Sequence, residues 1–341
     1  MCIRDRDWYV WHEDLGGGGS SALNEFLKLN DTSTESTATN LFNTVNSTVF
    51  NPSYTNGVPN TNIAYCFAEK AGYSSFGSYT GNASDSGPII NTGFEPAWLM
   101  IKGRTSAVDG WFMVDNKRDT SNPRGIRLFA NSTVGEASES GAQVDFLTNG
   151  FQIRGTGAGQ GQVNSSGANY VYFAFASDPS AAPTLADSFG ISGYVGNVST
   201  KIVNNSGFSP SLVWLKDRSS SGNHYWQDTI RGLTSQISSN LTAAETTYSS
   251  NITSFNNNGF TLGTATDTNA QNHAFVGWQW KGSLNPTINT DGTIQSVVSA
   301  NQAAGFSVVK WDSTSSASDT IGHGLSSTPT AVIYKLSLIH I

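Results

Sequence analysis

Apolar residues in this chain fall in short runs between glycine-bearing turns, and few stretches carry a helical period, so the pattern predicts strands. The clearest run occupies residues 96–102, opening on Pro96 and closing on Lys102, with Trp98, Leu99, Met100 and Ile101 between them. It returns from Pro210 to Lys216 and again from Pro329 to Lys335, with the copies 114 and 119 residues apart. A run apolar at every position predicts a strand buried on both faces. Proline lacks the N–H that a ladder needs, so it suits the first position of such a strand and not its middle. Trp98, Met100 and Lys102 share one face, as do Leu212, Trp214 and Lys216. Residues 62–68, 170–176 and 275–280 read as further strands, with large side chains at alternate positions.

These recurrences divide the chain. Residues 71–180 form one complete repeat, and residues 188–282 repeat its order. Tyr79, Gly81 and Asn82 are matched by Tyr194, Gly196 and Asn197, and the turn Asn149-Gly150-Phe151 by Asn258-Gly259-Phe260. Residues 7–70 read as the C-terminal half of a truncated repeat and residues 305–335 as the N-terminal half of a third. Residues 283–304 read as a linker, as do Asp178-Pro179 and Ala182-Pro183. Short strands with closely spaced turn signals predict an all-β chain of tandem β-sandwich domains, jelly-roll- or lectin-like. Residues 1–6 and 336–341 translate the two strands of a DNA string that resembles a sequencing-library adapter. They are expected to lie outside the natural protein, with residues 7–335 a fragment of it.

Charged residues make up only 13% of the chain, where soluble domains average about 25%; Ser, Thr, Asn and Gly fill the difference. The net charge is −7 with no basic cluster, which argues against a nucleic-acid partner. No apolar run approaches the ~18 residues of a membrane span, so no membrane insertion is expected. Cys66 is the one cysteine outside the first six residues, and its strand position assigns it to the core.

Candidate chemistry is sparse. Residues 155–161 resemble a phosphate loop but lack its Gly-Lys-Ser/Thr ending, and so read as a hairpin tip. Asp115 with Arg118 recurs as Asp228 with Arg231, and His12 takes that place in the first partial repeat. A paired strand-end contact is expected there, because a catalytic acid would need a second carboxylate. His12, His224, His273 and His323 show no ligand spacing, so neither metal nor cofactor is expected. Trp98, Trp214, Trp278 and Trp280 belong to alternating strands and read as core. Trp111 and Trp226 lie near strand ends, where an aromatic face could stack on a sugar ring.

Several strings resemble a known family. Tyr65-Cys66-Phe67-Ala68-Glu69, Phe76-Gly77-Ser78-Tyr79-Thr80-Gly81-Asn82, Gly93-Phe94-Glu95-Pro96-Ala97-Trp98 and Gly322-His323-Gly324-Leu325 are similar to an uncharacterised tandem-repeat domain of marine bacteriophage tail and appendage proteins. The resemblance implies a non-enzymatic, tail-fibre-like virion protein outside the cell. Its implied partners are other tail proteins and a host-surface glycan or receptor, with a homotrimer as the expected assembly. The alternatives are an appendage-borne polysaccharide-degrading enzyme and a secreted bacterial carbohydrate-binding adhesin. The family supplies no catalytic residues to carry over.

Overall fold

The computed structural model describes residues 7–38, 41–52, 60–106, 110–155, 161–176, 188–314 and 316–338. Residues 1–6, most of the glycine-rich segment 155–161, and the Asp178-Pro179 and Ala182-Pro183 linker lie outside the described residues.

Each of the three Pro-to-Lys runs supplies an inner strand of its own antiparallel sheet. In the first unit the order is Ala137–Ser138, Ile126–Phe129, Phe112–Asp115, Trp98–Gly103, Asn169–Phe175, Ser74–Thr80. The second unit repeats it as Thr246–Thr247, Ser235–Ser238, Tyr225–Asp228, Leu212–Asp217, Ala274–Trp280, Phe189–Val195. The third sheet has the same order but draws on both ends of the chain: Ser36–Thr37, Glu25–Lys28, Tyr9–His12, Ala331–Leu338, Thr61–Phe67, Phe306–Asp312. The two expected half-repeats are therefore complementary halves of one unit, in which Tyr9 pairs with Tyr334 and Tyr65 with Ile333. Residues 336–338, set aside from the sequence, continue the strand Ala331–Leu338. The expected linker 283–304 is also corrected. It holds the strands Thr287–Asn289 and Ser296–Asn301, which extend the third sheet beyond Phe306–Asp312.

A three-stranded sheet covers one face of each larger sheet. Gln143–Leu147, Gly150–Arg154 and Ser86–Asn91 do so in the first unit, and Ile252–Asn256, Gly259–Leu262 and Lys201–Asn204 in the second. Phe42–Val45, Val49–Pro52 and Ile321–Gly322 complete the split unit. The chain is thus an all-β array of β-sandwiches.

Strand alternation divides the side chains between two kinds of core. Leu99 and Ile101 pack with Phe146, Phe151 and Ile153 inside the first sandwich, as Val213 and Leu215 pack with Phe260 and Leu262 inside the second. Trp98, Met100, Leu212, Trp214, Ala331 and Ile333 point the other way, into one core shared by all three units. There Trp98 lies 6.4 Å from Trp214 and 6.0 Å from Trp280, and Phe67 of the split unit lies 6.4 Å from Trp280, ring centroid to centroid. Full burial of one such side chain stabilises by about 1.5–3 kcal/mol, so this aromatic centre binds the units into one body. Cys66 is buried in it, and burial raises its thiol pKa.

Candidate functional site

The lysine that closes each inner strand reaches out of its own unit. Lys102 Nζ donates to the carbonyl of Thr32 (2.9 Å), Lys216 to that of Thr133 (3.1 Å) and Lys335 to that of Thr242 (2.9 Å). Each acceptor lies between the two outermost strands of the neighbouring unit, so the three contacts run head to tail around the molecule. A buried ammonium is tolerated only when hydrogen-bonded, and the clasp meets that need. Lys216 also donates to the carbonyl of Asp217 (2.6 Å), and burial pushes its pKa down to about 8. Pro96 and Pro210 precede these strands as expected of residues without a ladder donor.

Asp115 and Arg118 form a buried ion pair (Oδ2 to Nε, 2.6 Å), and Asp228 and Arg231 repeat it at 2.6 Å. Both pairs face the next unit. The indole N–H of Trp278 donates to Asp115 at 3.2 Å, and the hydroxyl of Tyr65 donates to Asp228 at 2.9 Å. The split unit departs from this arrangement. His12 stands in the aspartate's place, 5.5 Å from the ring of Phe173, and Leu15 replaces the arginine. Each carboxylate is saturated by guanidinium, backbone N–H groups and a cross-unit donor, which makes it an interlock between units.

Trp111 and Trp226 are not available to a sugar. Trp111 is fully buried, with Nε1 donating to the carbonyl of Lys28 at 2.8 Å; Trp226 lies 4.5 Å from Trp214 and 4.7 Å from Tyr65. Nor are they equivalent. Phe112 pairs with Ile101 and Tyr225 with Leu215, so Trp111 corresponds to His224, and Trp226 to Met113. Their expected glycan-stacking role is replaced by a place in the shared core.

Two polar groupings came together that spacing alone did not reveal. Asp217 Oδ2 contacts His273 Nδ1 at 2.7 Å and accepts from Ser220 Oγ at 2.9 Å. The composition is that of a hydrolase triad, but Ser220 meets the same ring nitrogen as the aspartate (3.5 Å to Nδ1), whereas proton relay needs it on Nε2. Asp217 instead caps its turn, accepting from the backbone N–H groups of Ser219 and Ser220. Elsewhere, partial burial with the nearby carboxylates of Asp14 and Glu69 holds Glu13 up to about 7. Among the described residues no three His, Cys, Asp or Glu side chains gather as metal ligands.

Two clefts open on the sheet of the split unit. One, of about 320 Å³, is lined by Tyr9, Phe26, Lys28 and Leu41, and its Lys28 is paired with Asp7 at 2.8 Å. The other, of about 420 Å³, lies over the added hairpin and is lined by Ile288, Gln295, Val297, Lys310, Trp311 and Asp312.

The family described as a domain of unknown function, DUF7483, matches residues 3–179 and again residues 185–339. The chain belongs to the DUF7483 family. No curated protein and no solved structure matches it. Each DUF7483 match spans one complete sandwich together with half of the split one, so two tandem sequence domains build three sandwiches. The hairpin beneath the larger cleft was open to prediction: Asp291-Gly292 between two apolar stretches is a hairpin turn signal. Asp217 and His273 carried no such signal, because 56 residues separate them.

Proposed function

We propose that this chain is a non-enzymatic structural and recognition module of a virion appendage, tail-fibre-like and extracellular. Its partners on this reading are other tail proteins and a host-surface glycan or receptor, and the assembly is a homotrimer. The observation that carries the reading is the interlocking of three sandwiches through buried lysine clasps and aspartate–arginine pairs, which gives a stiff body whose surface is largely Ser, Thr and Asn. Such a surface suits weak hydroxyl-rich contacts that gain strength when several copies act together. Adsorption of the purified chain to cells of candidate marine hosts tests this, with periodate-treated cells as control. Saturable adsorption abolished by periodate is expected. Absence of adsorption to every host would leave only the structural half of the proposal.

Glu13 favours a second reading, polysaccharide cleavage, since a carboxyl held near 7 beside another acid suits a general acid. It ranks second because neither Glu13 nor Glu69 lines either cleft. Release of reducing ends from host polysaccharide, abolished by Glu13→Gln, would raise it to first.

A further inference from the structure

The hairpin Thr287–Asn289 and Ser296–Asn301 gives the split unit a two-strand extension that the sheets of the other two units lack among the described residues. Ile288 pairs across the hairpin with Val297, and Val297 with Lys310 of the next strand, so the three side chains form one row on one face. Ile288 is 68% exposed and Val297 37% exposed, which makes a small aliphatic shelf open to water. Beside the shelf, Gln295 and Asp312 add an amide and a carboxylate, and Thr61 Oγ1 fixes the carboxylate by donating to Asp312 Oδ1 at 2.6 Å. Lys310 makes no ion pair among the described residues, in contrast to Lys28 in the smaller cleft. Trp311 in the cleft wall is 2% exposed, and its indole N–H has no acceptor among the described residues.

The chemistry of this set is specific. One cation and one anion leave the cleft close to neutral, so neither a phosphate nor a polycation is favoured by charge. Among the described residues no exposed ring stacks over the shelf, which disfavours a nucleobase. What remains complementary is a ligand with an aliphatic C–H face to lie on Ile288 and Val297 and a rim of hydroxyls to exchange hydrogen bonds with Lys310, Asp312 and Gln295. We propose that this cleft is a binding site for a neutral oligosaccharide, one per chain. The inference deepens the recognition reading above and rests on it for its role, while its position rests on these residues alone.

Titration of the intact chain with neutral gluco-, manno- and galacto-configured hexaoses, followed by calorimetry, is the test. Saturable binding of at least one is expected. Ile288→Asp and, separately, Lys310→Gln should each weaken it about tenfold or more without moving the thermal midpoint, since Ile288 is largely exposed. No saturable binding to any hexaose, or binding that both variants leave unchanged, would overturn the proposal. Adsorption to host cells separates the two readings. Cells bound without any hexaose binding would sink the cleft and spare surface recognition. Hexaose bound at the cleft without cell adsorption would uphold the cleft and sink host recognition.

Discussion

At Gly259 the backbone sits at φ 136°, and a Cβ there would lie 2.0 Å from the carbonyl oxygen of Val203. Gly150, its counterpart in the first unit, would place a Cβ 1.9 Å from the carbonyl of Ile90. These contacts explain why Asn-Gly-Phe recurs: the neighbouring strand crosses where a side chain would stand. Gly259→Ala is therefore expected to cost about 3 kcal/mol in urea unfolding. Gly193→Ala, whose nearest neighbour would be 4.0 Å away, should cost far less; equal losses would sink the argument. His12 carries a pH dependence. Burial is the main cause holding its pKa down to about 4, below its ordinary 6.5. Between those values the unfolded chain binds the extra proton, so stability falls as pH drops through that window, by at most about 3 kcal/mol from this group. Below about 4 both states are protonated and the loss from His12 stops. His12→Asn keeps an acceptor for the Asp14 N–H and should flatten the slope of the urea midpoint between pH 7 and 4.5; an unchanged slope would assign it to other groups.

The strands themselves were legible because local pattern determines them: alternation in residues 275–280, proline before the inner strands, Asn-Gly at the hairpins. What lay beyond the sequence was which element meets which. The pairing of Tyr9–His12 with Ala331–Leu338 joins positions at opposite ends of the chain, and no local periodicity encodes it. The burial of Trp111 and Trp226 is hidden from the sequence for the same reason, since a residue near a strand end is exposed or buried according to what another unit places over it. The Asp-Arg pairs show how much such a covering element can vary. Loss of Arg231 leaves the Asp228 carboxylate buried beside Tyr65, and Arg231→Leu should cost about 3–5 kcal/mol. The split unit fills the corresponding place with His12 and Leu15 and still closes against Phe173. The double variant Asp228→His with Arg231→Leu copies that solution and should recover most of the loss in chemical denaturation. A double variant no more stable than Arg231→Leu alone would mean that the ion pair is needed at its own interface.

For the whole molecule, the split unit makes each half of the chain depend on the other. Strand Thr61–Phe67 comes from the first DUF7483 match and is flanked on both sides by strands of the second, Phe306–Asp312 and Ala331–Leu338. The lysine clasps from Lys102 to Thr32, from Lys216 to Thr133 and from Lys335 to Thr242 form a closed circuit of the three units, and the one from Lys216 to Thr133 crosses between the halves. An unpaired strand edge together with a bared aromatic core is an association surface. Residues 1–180 and 185–341, expressed as separate chains, are therefore expected to be soluble only poorly alone and to form a stable one-to-one complex when mixed. Size-exclusion chromatography with mass measurement reads this directly. Lys216→Met should weaken the complex, because its ammonium donates to Thr133 in the other half. Two halves that fold and stay monomeric on mixing would show that the sandwiches are independent beads and that closure of the split unit contributes little.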